Sequence, residues 1–200
     1  MMAPSSKRKS IDFDQWAPTY ESSRNQRFYD RIHDIVLTFV ANSAELGSLL
    51  DVGCGTGRLL RAAKARWPNA TLTGIDPSPR MVETAHHLLP DATFHVGEAE
   101  ALPLPDTSVD VVLSTVSFHH WRDQLAGVRE VGRVLRPEGV FFLADVSPLT
   151  WPFLWLLRQP RSQTPAEMRS VFRKAGLPLF FQRFVVAGSV LVTAGVKSLP

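Results

Sequence analysis

Residues Leu49 to Leu60 read LLDVGCGTGRLL. An apolar run ending in Asp51 and Val52 predicts a strand, Gly53, Gly55 and Gly57 a sharp turn, and Leu59, Leu60 and Ala63 the apolar stripe of a helix. Glycines suit such a turn because side chains would keep a ligand off the backbone, and because its dihedrals are ones other residues resist. The N–H groups that open the following helix then face whatever rests on the loop. A dinucleotide fingerprint would place its third glycine at position 58, where this chain has Arg58. No Lys-Ser or Lys-Thr pair closes the run, which excludes a P-loop.

Outward from the loop, the bulk numbers describe one ordinary globular domain: 200 residues, 44% hydrophobic and 20% charged. The formal net charge is only +3 and the basic residues are scattered apart from Lys7, Arg8 and Lys9, so nothing calls for nucleic acid as a partner. A lone cysteine, Cys54, makes no internal disulfide and points to a reducing compartment. The basic N-terminus has no apolar run behind it, and Val185 to Val196 is too short and too interrupted to span a bilayer. The expectation is a cytoplasmic protein with a disordered tail over 1–10 and a single domain over 11–200.

The rest of the chain alternates strands and helices. Thr71 to Ile75 predicts a second strand ending on Asp76, about 20 residues past the glycines, where doubly wound folds place a carboxylate on a ribose. A carboxylate only accepts, so it takes both ribose hydroxyls. Ser78 and Pro79 then form an N-cap and N1 pair. Thr93 to Val96 is a third strand and Val109 to Val116 a fourth, covered on both faces. The fourth ends in Ser117-Phe118-His119-His120-Trp121, at the carboxyl end where open α/β sheets bind ligands. Gln124 to Leu135 follows as a helix, Arg136 to Gly139 as a turn and Val140 to Ala144 as a strand. Thr164 to Glu167 is a capping box, and Leu179 to Val186 with Val190 to Val196 reads as a hairpin about Gly188-Ser189. The fold class is α/β: Rossmann-like, doubly wound, a mostly parallel seven-stranded sheet with a C-terminal antiparallel hairpin.

Four stretches share a pattern: the GxGxG loop, IDFDQWAPTYE from Ile11, GEAEALP from Gly97, and GVREVGRVLRPEGVFFLAD from Gly127. Together they resemble the class I S-adenosylmethionine-dependent methyltransferases, of the small-molecule type that includes ubiquinone and menaquinone biosynthesis enzymes. The departures are Glu21 and Glu98 where the family commonly has Asp, and Glu138 where it usually has Gly.

The resemblance implies S-adenosylmethionine as cofactor and S-adenosylhomocysteine as product, and the adjacent histidines plus Cys54 make no metal-ligand spacing, so no metal is expected. It implies that Asp51, Gly53, Cys54, Gly55, Gly57, Asp76, Pro77 and Ser114 hold the cofactor, with Met81 against the adenine, Glu98 and the Ala99 N–H on its edge, and Tyr20 and Arg24 over the methionine end. A cap over 11–45 and a lid insertion over 147–163 would bring Trp16, Tyr20, Phe118, His119, Trp151 and Trp155 around a small, apolar or aromatic acceptor. The insertion would also suit peripheral contact with a membrane. Trp16, Tyr20 and Met81 serve equally well as core. His119 and His120 are the candidate catalytic residues, since a neutral imidazole can take the acceptor's proton; bracing the loop is the competing role. The expected function is methyl transfer to that acceptor. Rivals are a SAM-binding regulatory protein without activity and an NAD-dependent dehydrogenase; a macromolecular methylase would want an Asn-Pro-Pro-Tyr type motif. A homodimer stays open.

Overall fold

The computed structural model describes residues 13–24, 26–42, 46–147 and 162–199. Seven strands form one sheet in the order β3-β2-β1-β4-β5-β7-β6. They are β1 (Ser48–Val52), β2 (Thr71–Asp76), β3 (Thr93–Val96), β4 (Val109–Thr115), β5 (Leu135–Val146), β6 (Leu179–Val185) and β7 (Val190–Val196). The first five pair in parallel, and β7 inserts antiparallel between β5 and β6. The direction of winding reverses between β1 and β4, so the crevice beyond their carboxyl ends is the place for a ligand.

Alternation along the strands sends neighbouring residues to opposite faces. Leu49, Val111, Leu113 and Phe142 face one layer, built with Ile32, Val36 and Leu37 of α2 (Gln26–Ala41), Leu59 and Leu60 of α3 (Arg58–Arg66), and Val82 and Ala85 of α4 (Pro79–Leu88). Leu50, Val112, Phe141 and Leu143 face the other, with Val128 and Val131 of α5 (Gln124–Val134) and Met168 and Phe172 of α6 (Pro165–Lys174). The expected caps form: Ser78 Oγ accepts from the Met81 N–H, and Thr164 and Glu167 close a capping box.

Two expectations shift in detail. β5 starts at Leu135 rather than Val140, because Leu135 pairs with Val109 and the register then slips, leaving Arg136 to Glu138 as an exposed irregularity inside the strand. Within it, Glu138 lies at φ 64, in the left-handed region that explains the family's usual glycine there. The β6–β7 hairpin turns earlier than expected, with Val186, Ala187 and Gly188 all at positive φ. The lid insertion with Trp151 and Trp155 lies outside the described residues except at its ends, and the 1–10 tail wholly so.

Candidate active site

The carboxyl ends of β1, β2, β4 and β5 bring the predicted residues to one edge of the sheet. Past β1, Gly53, Gly55 and Gly57 adopt φ 78, 51 and 73, which fixes glycine at each. A Cβ on Gly53 would collide with Ser117, and one on Gly57 would press the Phe94 ring at 3.0 Å. The loop is stitched to β2, since the N–H groups of Gly53 and Cys54 both donate to the Ile75 carbonyl, at 2.8 and 3.0 Å.

Asp76 joins this stitching. Its Oδ2 accepts from the Gly55 N–H and its Oδ1 from the Ser78 N–H, each at 2.9 Å, in a site only 8% exposed. Burial raises its pKa while those two N–H groups pull it down. The carboxylate therefore shapes the loop, and it retains lone pairs for a ligand. Asp51 lies deeper, 2% exposed, and its Oδ1 has no hydrogen-bond partner. Burial first, and the charge of Asp76 second, push its pKa up to about 8. Neither carboxylate has an ion-pair partner among the described residues.

A helix formed by the FDQWAPTY segment, α1 (Phe13–Tyr20), covers the loop. The Tyr20 ring stands over Gly55, 3.8 Å from where a Cβ would be, and Trp16 packs edge-on against it at 4.9 Å. Burial, with Tyr29 and the nearby carboxylates, raises the Tyr20 pKa. Two acids anchor the helix. Asp14 accepts from Ser78 Oγ at 2.5 Å and from the Arg80 N–H at 3.2 Å. Glu21 accepts from Thr56 Oγ1 inside the glycine loop and pairs with Arg58 at 2.8 Å and Arg61 at 3.0 Å. Arg58 also grips Asp30 of α2 through Nε and Nη2, at 2.6 and 2.9 Å. The residue that replaces the dinucleotide motif's third glycine is thus the tie between loop, cap and α2.

Beyond β4, Val116 takes φ 51, a conformation that costs a β-branched residue about 1–2 kcal/mol, and strain of this kind collects at functional sites. A short 3₁₀ turn, Phe118–His120, follows. His119 is 5% exposed, and its Nδ1 lies 2.8 and 3.1 Å from the two carboxylate oxygens of Asp145, at the end of β5. The His119 N–H also donates to Asp145 Oδ2 at 2.9 Å, and the Val146 N–H to Oδ1 at 2.8 Å. Nothing near Asp145 in the sequence marks it. The signal was an acid ending the strand beside the one that carries the histidines. The His120 ring contacts Phe13 at 5.1 Å and His119 at 4.0 Å, and desolvation followed by His119 lowers its pKa to about 4.

Several expected contacts fall elsewhere. Phe118, expected in the acceptor pocket, is fully buried against Trp121, because the 3₁₀ turn rolls its ring into the α5 layer. Ser114 is also fully buried: Ser117 Oγ donates to the Val52 carbonyl, so Ser114 gives its hydrogen to Ser117 at 2.7 Å and braces the loop from behind. Met81 and Ala99 are 1% and 6% exposed. Glu98 is half open and paired with Arg122 at 2.8 Å. Pro77 and Arg24 are exposed, and Arg24 has no ion pair among the described residues. Cys54 is buried with its thiol pKa raised by burial, which leaves it unreactive.

Residues 50–143 match the methyltransferase domain family. An uncharacterized methyltransferase of Oceanobacillus iheyensis is 32% identical over 151 residues, covering 69% of this chain and 67% of that one. The chain belongs to the S-adenosylmethionine-dependent methyltransferases. A demethylmenaquinone methyltransferase of Chlorobaculum parvum is 34% identical over 139 residues, 66% of this methyltransferase and 57% of the relative. This chain spans about half the length of several such relatives. The putative methyltransferase of Haloferax volcanii, solved in complex with the Trm112 methyltransferase activator, superposes with TM-score 0.80 at 25% identity, over 96% of this chain and all of that one. No helix among the described residues of the methyltransferase is long and apolar enough to cross a membrane.

The residues present fit the family's cofactor. S-adenosylmethionine carries two cationic centres and a ribose diol. The orphaned Asp51 oxygen and its raised pKa mark a buried carboxylate without a cation, and Asp76 keeps acceptor capacity beside it.

Proposed function

We propose that this methyltransferase transfers the methyl group of S-adenosylmethionine to a small, apolar or aromatic acceptor. The observation that carries the reading is the pair of buried, cation-free carboxylates, Asp51 and Asp76, under a loop whose three glycines hold positive φ. When bound, the cofactor supplies an electrophilic methyl on a positively charged sulfur. The chain's own work is to hold, align and desolvate. Gly53, Gly55 and Gly57 let the backbone approach the ligand, Asp51 and Asp76 balance its charge and take its hydroxyl hydrogens, and the Trp16–Tyr20 pair excludes water above the loop. Arg24, exposed and without an ion pair among the described residues, would meet the cofactor carboxylate. The menaquinone-type relative supports an aromatic acceptor.

The test is titration calorimetry of S-adenosylhomocysteine beside NADH. Micromolar binding of the first, about −8 kcal/mol, with no heat from the second, is expected. Asp76→Ala is a poor probe, because it strips the acceptor from two loop N–H groups and costs stability as well. Asp51→Asn leaves those bonds in place and should abolish the heat. Binding of NADH instead, or of neither ligand, would refute the reading.

A further inference from the structure

We infer that Asp145 is a positioning residue that holds His119 with a bare Nε2 facing the acceptor, and that the acceptor is therefore a molecule that must lose a proton as it is methylated, such as a phenol or hydroquinone. The inference rests on the methyltransferase reading above and deepens it.

A carboxylate only accepts hydrogen bonds. Asp145 is held in place by two backbone donors, the His119 and Val146 N–H groups, so its contact with the His119 ring is a third acceptance and Nδ1 carries the hydrogen. A neutral imidazole has one N–H, which leaves Nε2 as a lone-pair acceptor. Among the described residues Nε2 makes no hydrogen bond, and it is absent from the sealed polar atoms that lack partners. The dyad stands on the edge of the sheet that carries the glycine loop: Thr115 pairs with Ala144, and Ser117, two residues before His119, packs against Gly53. The neighbouring His120 touches Phe13 of the cap.

This arrangement does a definite piece of chemistry. As the acceptor's oxygen or carbon forms its bond to the methyl carbon, the methyl–sulfur bond breaks and its electron pair leaves with sulfur. The acceptor's proton passes to His119 Nε2, and the imidazolium so formed lies against the Asp145 carboxylate. Charge and atoms balance without any further reagent. A carboxylate acceptor has already lost its proton and would gain nothing from such a base; a phenol has not. A dyad buried to 5% and 3% exposure is a costly arrangement to keep for a reaction that needs no base.

Two measurements test this. The first is the ring ¹⁵N spectrum of His119 in the parent and in Asp145→Asn, without cofactor or acceptor. The parent should show Nδ1–H with an unprotonated Nε2. In the variant, the amide N–H₂ turned toward the ring should reverse the tautomer, and Asp145→Glu should restore it. A parent ring protonated at Nε2 would overturn the inference, whatever the fate of the variants. The second is turnover on 2-naphthol, on naphthalene-1,4-diol and on octanoate. The first two should be methylated in preference. Asp145→Asn should lower their kcat by about 10²-fold or more with the cofactor's KM unchanged. Preference for octanoate, or equal kcat in parent and variant, would overturn it. Failure of S-adenosylhomocysteine to bind would instead remove the function itself and leave the dyad as a brace for the 3₁₀ turn, a result the tautomer spectrum alone does not produce.

Discussion

Replacing Asp51 by Asn should abolish a loss of stability that the parent suffers as pH rises, and the size of the effect follows from the burial of one carboxyl. In the native state Asp51 holds its proton up to about pH 8, whereas an unfolded aspartate loses it near pH 3.9. Across that window the native state binds one more proton than the unfolded state, so the parent's stability falls with rising pH. The contribution is intact below about pH 4 and lost above about pH 8. Each pH unit removes about 1.4 kcal/mol, with a ceiling of about 5 kcal/mol over the whole window. Asparagine does not ionise and its curve lacks that slope. Its extra N–H₂, where it finds no acceptor, costs about 1–3 kcal/mol at every pH alike, which offsets the curve without tilting it. His33 works in the opposite direction: burial lowers its pKa to about 4, so its stability contribution is lost as pH falls from about 6.5 toward 4. It is present in both proteins and cancels in their difference. Urea midpoints measured in one-unit steps between about pH 5 and 8 should show the variant's advantage widening by about 1.4 kcal/mol per step. A difference that stays constant across pH would refute a proton on native Asp51, and with it the picture of a carboxylate waiting for a cation.

Two further substitutions test the backbone and the packing around the site. Glu138→Gly relieves a left-handed residue worth about 1–2 kcal/mol against about 0.4–1 kcal/mol of added unfolded-state entropy, so it should stabilise by about 0.5–1 kcal/mol in urea melts, with no change in cofactor affinity. Gly127→Ala should destabilise by about 1–3 kcal/mol, because its Cβ would run into the Trp121 ring, and a neutral effect there would show that this ring moves aside.

The parts of the fold that were legible in the sequence are those fixed by local rules. Strand and helix limits followed from period and capping: Ser78-Pro79, the Thr164–Glu167 box and the Thr93–Val96 strand all stand where local chemistry puts them. The glycine loop was legible because positive φ leaves few residues to choose from. What escaped were pairings set by the sheet. Asp145 meets His119 across 26 residues and Glu21 meets Arg58 across 37, and no periodicity joins positions so far apart. Phe118 was misplaced for the related reason that the face a residue presents after a strained turn is decided by Val116, whose conformation its own sequence disfavours, and Ser114 because it meets Ser117 behind the loop. Spacing singled out Asp76 as a ligand residue, and in the structure its carboxylate accepts from the loop's own Gly55 N–H and from the Ser78 N–H.

Glu21, which departs from the family pattern, and Arg58, which departs from the dinucleotide motif, belong together. Glu21 is one methylene longer than the commoner aspartate, and its carboxylate reaches Thr56 in the loop as well as Arg58 and Arg61 on the helix behind it. Arg58 stands where a glycine would let a dinucleotide's helix approach closely, and it uses that place to hold both Glu21 and Asp30. At the other end of α1, Asp14 holds Ser78 and Arg80, two and four residues past Asp76. The α1 helix is therefore fastened to both halves of the candidate site, the β1 loop and the β2 turn, by acids that these backbones and arginines satisfy. The anchors of α1 and the shape of the glycine loop therefore share residues: Glu21 reaches Thr56 and Arg58 at the loop, and Asp14 reaches the Ser78 hydroxyl while the Ser78 N–H holds Asp76.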